Sequence, residues 1–266
     1  MRALDPQRRA HYLAALGIEL WQPRGAGSGA RVGETSTPLI DPTPSAASTT
    51  RSAAPVAAPA QDRLPAALGE PAAAAWQTLE AEVAGCTRCA LHATRTRPVL
   101  GVGDRKAQWL VVGEAPGAEE DRQGEPFVGR AGQLLDAMLR AIGLARGHNV
   151  YIANILKSRP PGNRDPRPEE VGACLPYLQR QIALLEPRLI LAVGRIAAQN
   201  LLRTDLSLGR LRGRVHHFGE LNTPLVVTYH PAYLLRTPGD KRKAWEDLKF
   251  ARRVFRELVA ATPEKH

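Results

Sequence analysis

The chain has 266 residues, 44% of them hydrophobic, and a formal net charge of +10. That length allows one good-sized domain with extra segments or two small ones, and the charge points to polyanionic company such as nucleic acid. No apolar run of about eighteen residues is present to cross a membrane, and three cysteines, an odd number, argue against a disulfide framework and for a reducing, cytoplasmic setting.

In chain order, residues 1–24 place Tyr12, Leu13, Leu16 and Leu20 at helical spacing, followed by Trp21, which predicts a short amphipathic helix. Basic residues precede its apolar stretch, but Glu19 interrupts that stretch and no cleavage pattern follows, so it does not read as a secretory signal. From 25 to 72 the text becomes Ala, Pro, Ser, Thr and Gly, as in STPLIDPTPSAASTTRSAAPVAAPA. Such a segment buries too little apolar surface to offset ordering, so a disordered linker is expected. Up to residue 72 there are seven basic and six acidic residues, a net of +1, which leaves +9 for residues 73–266. The polyanion signal therefore belongs to the folded part.

Residues 73–266 alternate between strand and helix. The apolar runs QWLVV (108–112), NVYIANI (149–155), RLILAV (188–193) and PLVVTY (224–229) read as strands. Helical patterns cover 131–144, 168–185, 195–202 and about 241–260. Pro168 suits a first helical turn, and Glu169 and Glu170 favour the positive end of the helix dipole. Together these predict an α/β fold with a parallel sheet covered by helices on both faces. In such sheets ligands bind outside the carboxyl ends of the strands. Those ends carry the loop GEAPGAEEDRQGEPFVGRAG (113–132), Asn154, Gly194, and His230 in HPAYLLR.

The residue types at that edge suit one kind of chemistry. Glycines let the backbone approach a ligand. A carboxylate beside them orients water or faces a developing positive charge. Asn154 offers a donor and an acceptor for an amide-like edge, Phe127 a flat face, and His230 a proton for an oxygen gaining charge. Each also has a plainer reading: Phe127 as core, Asn154 as a turn cap, His230 as a backbone partner.

The segments GEAPGAEEDRQGEPFVGRAG, NILKSRPPGNRDPRPEE and HPAYLLR resemble, in order, the signature regions of the family 4, iron–sulfur uracil-DNA glycosylases. The resemblance runs from Cys86 to the last helix and leaves out residues 1–72. It implies a three-layer α/β/α fold around a central, mainly parallel four-stranded sheet, with residues 73–266 as the glycosylase-like domain. It implies hydrolysis of the N-glycosidic bond of deoxyuridine in DNA, releasing uracil and leaving an abasic site. Carried onto this chain, Glu114 and Glu120 are the candidates for holding the attacking water, Glu114 first. Phe127 would stack on the flipped base, Asn154 would read its N3–H and O4, His230 would bond O2, and the backbone at Ala115 would approach the base. Leu234 or Leu235 would wedge into the vacated stack. Arg236, Arg130, Lys157, Arg159 and Arg164 are candidates for phosphate contacts. The five acids of residues 113–132 thus sit inside a cationic surface because phosphate binding and glycosidic cleavage act on different parts of one nucleotide.

Cys86 and Cys89 form a C-x-x-C pair, which alone marks metal, redox chemistry or chance. In the family this pair joins two further cysteines around a [4Fe–4S] cluster. Cys174 matches one of them, but the other position is Ser158. A cluster bearing Ser158 or solvent, a three-iron form, and an empty or zinc site with His92 all stay open here, retained iron–sulfur binding being favoured. Rival functions are excision of another deaminated base and a non-catalytic DNA-binding module. A monomer is expected, with residues 1–24 docking a repair or replication protein.

Overall fold

The structure, a computed structural model, describes residues 72–261. The helix expected at 1–24 and all but the last residue of the linker expected at 25–72 lie outside the described residues. Ala72 opens the first helix, α1 (Ala72–Ala84).

The sheet has six strands: β1 (Val102–Gly103), β2 (Trp109–Gly113), β3 (Val150–Asn154), β4 (Leu189–Val193), β5 (His216–Phe218) and β6 (Thr223–Thr228). Their order is β1-β3-β2-β4-β6-β5. The inner four, β3, β2, β4 and β6, are parallel and correspond to the four apolar runs. The outer two are antiparallel and were not anticipated. They are two and three residues long, too short for a period of two to register, and short edge strands of this kind blunt a sheet's pairing edge.

Between the strands lie α2 (Ala118–Gln123), α3 (Arg130–Ala141), α4 (Pro168–Leu185), α5 (Arg195–Leu202) and α6 (Leu208–Leu211). After β6 come α7 (Pro231–Arg236) and the closing α8 (Lys241–Ala261). Successive strand residues point to opposite faces. Leu110, Val112, Tyr151, Ala153, Ile190 and Ala192 face one way, toward Leu79 of α1, Leu178 of α4 and Leu201 of α5. Trp109, Val111, Val150, Ile152, Leu189 and Leu191 face the other, toward Leu135 and Met138 of α3 and Leu248 and Ala251 of α8. Both faces are covered, which is why β2, β3 and β4 are wholly buried and β6 is buried except at Pro224, and why each carries an apolar run. Each large apolar side chain so buried contributes about 1.5–3 kcal/mol.

The topology fixes where a site can form. From β2 the chain steps to β3 on one side, then crosses to β4 on the other. The crevice at this reversal opens at the carboxyl end of β2, where Glu114 and the glycine-rich loop begin. Among the described residues, no helix is long and apolar enough to cross a membrane.

Candidate active site

Gly113 and Asn154 end two neighbouring parallel strands and are paired in register. A side chain at 113 has no room: a Cβ there would lie 2.4 Å from Asn154 Oδ1 and 2.5 Å from Phe127 Cζ. The missing Cβ therefore lets the Asn154 amide and the Phe127 ring meet above the end of β2. Asn154 is 2% exposed, and its Oδ1 is buried with no hydrogen-bond partner among the described residues. A buried acceptor left unpaired costs about 1–3 kcal/mol, so one aimed into a strand-end crevice marks a place for an incoming N–H.

Phe127 adopts φ 57°, a left-handed conformation uncommon outside glycine and costing about 1–3 kcal/mol. Two side chains hold it there. Glu120 Oε1 accepts the backbone N–H groups of Val128 (2.9 Å) and Gly129 (3.1 Å), and its Oε2 accepts that of Gly117 (3.1 Å). Arg146 donates to the carbonyls of Phe127 (2.7 Å) and Pro126 (2.9 Å) and pairs with Asp136. Gly132 completes the turn, since a Cβ there would lie 1.7 Å from the Phe127 carbonyl oxygen. The carboxylate of Glu120 is thus engaged in bracing the loop, which sets it apart from the water-holding role expected of it. Arg146 left no mark in the sequence because its partners are backbone atoms some twenty residues away.

His230 faces Phe127, with ring centroids 5.6 Å apart at 31°. It caps α7, its Nδ1 accepting the Ala232 N–H at 3.1 Å. Burial, reinforced by Arg236 and opposed by Glu120, pushes the imidazole down to about 4. At neutral pH the ring is therefore uncharged, with its one proton on Nε2, free to be donated. Gly194, at φ 99°, makes room for it, since a Cβ there would lie 2.9 Å from that of His230.

Glu114 follows Gly113 directly and is half-buried. Burial, helped by the charge of Asp165 and opposed by that of Arg195, raises its carboxyl to about 7. Asp165 and Arg195 form an exposed ion pair at 2.9 Å beside it. Neither was picked out from the sequence, since each carries its meaning only through proximity to Glu114. A carboxylate poised near neutrality suits a general base. Ala115 is half-buried next to it.

Several expected DNA contacts find other employment. Lys157 is 1% exposed, and its Nζ donates to three internal acceptors, so it cannot reach a phosphate. Burial lowers its ammonium to about 7. Leu234 is 1% exposed and belongs to the core, leaving the half-buried Leu235 as the candidate wedge. Arg164 is forked onto the buried Glu170 at the start of α4. Arg159 is half-buried and bonds Asn163, while Arg130 and Arg236 are exposed.

Cys86, Cys89 and Cys174 lie near enough for the first two to raise the thiol of Cys174, although burial is the larger cause. Ser158 is 3% exposed, and its Oγ accepts a hydrogen bond from Arg95 Nη1 at 3.0 Å. Arg95 also donates to the Ala84 carbonyl. His92 is turned to the Cys89 carbonyl at 2.7 Å. Among the described residues, no three His, Cys, Asp or Glu side chains converge to hold one metal ion. Thiolates are the donors that iron–sulfur clusters use, and three of the four positions here carry thiols. The fourth position offers a guanidinium-bonded hydroxyl in place of a thiolate.

Residues 100–249 match the family model of the Uracil DNA glycosylase superfamily. The Type-4 uracil-DNA glycosylase of Archaeoglobus fulgidus is 45% identical over 174 residues, which is 63% of this chain and 87% of that protein. The Type-4 enzyme of Pyrobaculum aerophilum is 44% identical over 178 residues, 65% of this chain and 90% of that protein. The Type-5 uracil-DNA glycosylase of Thermus thermophilus is 39% identical over a shorter 120 residues, 40% of this chain and 54% of that protein. A strand-end crevice with a buried unpaired amide, a neutral histidine and a carboxylate near neutrality thus lies within the matched region, and the chain belongs to the Uracil DNA glycosylase superfamily.

Proposed function

We propose that this protein is a monofunctional uracil-DNA glycosylase, releasing uracil from DNA and leaving an abasic site. The observation that carries this reading is the buried, unpartnered Oδ1 of Asn154 beside Phe127 at the carboxyl end of β3. Deoxyuridine turns out of the stack to enter the crevice. Phe127 lies against the base. Asn154 Oδ1 accepts the uracil N3–H, and its Nδ2 donates to O4. Cytosine presents an acceptor at N3 and a donor at N4, which sets like against like.

Glu114 accepts the proton of a water whose oxygen bonds to C1′. The N1–C1′ bond breaks, and its electron pair leaves with the base. His230 Nε2–H donates to O2, where the charge of the departing uracil anion collects. A neutral donor serves here because the imidazole is uncharged at physiological pH and carries a single proton. The Glu114 carboxylate also faces the positive charge that builds on the sugar. Arg130, Arg159 and Arg236 supply phosphate contacts, and Leu235 fills the vacated stack.

Cys86, Cys89 and Cys174 would hold an iron–sulfur cluster, with Ser158 at its fourth corner. When bound, the cluster would cross-link the segment after α1, the segment after β3, and α4. The hydrolysis draws only on the chain's own side chains. In this reading the enzyme works as a monomer in the cytoplasm, and residues 1–24 tether it to a repair or replication protein.

The test is base release from an oligonucleotide carrying one uracil, single- and double-stranded, under single turnover. Wild type should release uracil. Glu114→Gln should lose about a hundredfold or more while keeping DNA affinity. Asn154→Ala should lose selectivity against cytosine. Tight DNA binding by wild type without release would move the reading to another deaminated base, and inactivity on hypoxanthine and xanthine as well would leave a binding module.

A further inference from the structure

We propose that Lys157 is a positioning residue for base recognition, anchoring the end of β3 so that the Asn154 amide points into the crevice; this rests on the base-reading role given to Asn154 above. Lys157 was expected at phosphate, yet it is the most enclosed cation described. Its Nζ donates to the Asn154 carbonyl at 2.8 Å, to the Leu100 carbonyl at 3.2 Å and to Gln181 Oε1 at 2.6 Å. An ammonium has three hydrogens, and each finds an acceptor. None of these acceptors is a carboxylate. With the Cys174 thiol as an ionisable neighbour and only neutral hydrogen-bond acceptors around it, burying a cation here costs more than filling the space with methionine would, so packing alone does not explain a lysine.

What the ammonium holds is the backbone of the base-reading residue. Among the described residues Asn154 Oδ1 has no hydrogen-bond partner, so no bond at that oxygen fixes its direction. Its aim is set from its own main chain. On one side Asn154 is registered to Gly113. The next two residues donate to the catalytic strand's extension, Ile155 N–H to the Gly113 carbonyl and Leu156 N–H to the Glu114 carbonyl, both at 3.0 Å. The Asn154 carbonyl itself is held by Lys157. Gln181 of α4, fully buried, supports the lysine and adds bonds to the Leu100 carbonyl (3.0 Å) and the Tyr151 hydroxyl (3.3 Å). β3, α4 and the segment before β1 are therefore tied at one point behind the amide.

The experiment uses the full chain and free uracil as the probe. Wild type, Lys157→Met, Lys157→Arg and Gln181→Met are compared for inhibition by uracil, for affinity to DNA carrying an abasic site, for kcat and KM on uracil DNA, and for melting temperature. Lys157→Met should weaken inhibition by uracil about tenfold or more, since a charged hydrogen bond fixing the amide is lost. Its affinity for abasic DNA should stay within about twofold. Gln181→Met, which leaves the lysine in place but removes one of its three acceptors, should give a smaller loss of the same kind. Lys157→Arg, keeping a donor, should recover part of it. A folded Lys157→Met protein inhibited by uracil like wild type overturns the proposal. If that variant does not fold, an unchanged uracil inhibition in Gln181→Met overturns it instead. A proportional loss of uracil and abasic-DNA binding indicates a general structural role and also overturns it. A wild type that neither releases nor binds uracil sinks the functional reading itself, which is a different result.

Discussion

Glu114 and Glu120 lie six positions apart, one before α2 and the other within it, and the structure gives them different surroundings. Glu120 accepts three backbone N–H groups that keep Phe127 at φ 57°. Replacing it with alanine removes all three bonds. Hydrogen bonds to a charged group are worth about 1.5–3 kcal/mol each, but this carboxylate is only half-buried and water will replace part of the loss. About 1 kcal/mol per bond gives a cost of about 3 kcal/mol. For a domain of this size that lowers Tm by about 6–12 °C. Glu120→Gln keeps the oxygen that serves Val128 and Gly129 but turns an N–H toward that of Gly117. Its cost is about 1 kcal/mol, or about 2–4 °C. Thermal unfolding measures these shifts, and single-turnover base release on the same preparations measures the chemistry. Glu120→Gln should keep base release within about tenfold of wild type, whereas Glu114→Gln should lose about a hundredfold or more. If Glu120→Gln matches the loss of Glu114→Gln with an unchanged Tm, Glu120 is itself a catalytic group and the bracing argument is wrong.

Two further outcomes follow from the site. The Glu114 carboxyl, raised from 4.5 to about 7, must be ionised to act as a base. Base release should therefore rise with pH through about 7, with no second limb from His230, which loses only its second, imidazolium proton near 4 and keeps the one on Nε2. The unfolded carboxyl ionises more readily than the folded one. Its contribution to stability is thus present below about 4.5 and is lost as pH rises toward 7, so Glu114→Gln should raise Tm at pH 8 and leave it unchanged near pH 4. Ser158→Cys should increase iron and sulfide per protein and raise Tm after anaerobic purification; equal iron and equal Tm would count against Ser158 as a weak fourth ligand.

The four inner strands were legible because burial on both faces leaves a mainly apolar run in each. The edge strands were not, since two or three half-exposed residues carry no period. At the site, the sequence named Glu114, Phe127, Asn154 and His230, and the structure brings the last three together around Gly113 and Gly194. It misjudged the groups whose meaning depends on depth. Lys157 and Arg164 look like surface cations in the text KSRPPGNR, yet one is enclosed and the other is paired. Leu234 and Leu235 are neighbours in sequence, and only the turn of α7 decides that the first is enclosed in the core while the second packs at its margin, half-buried. Arg95 and Arg146 were invisible because their partners, the Ser158 hydroxyl and main-chain carbonyls, lie far along the chain from them.

Gly113 and Asn154 are separated by a single step across the sheet, about 4.8 Å. One strand end thus leads into the carboxylate proposed as the base, and the next carries the amide proposed to read the lesion. They share a crevice but not a polypeptide segment. If those proposed roles hold, a substitution at the tip of β3 would change which damaged base is recognised while leaving the Glu114 side chain itself in place, so recognition and cleavage would be open to change on separate strands.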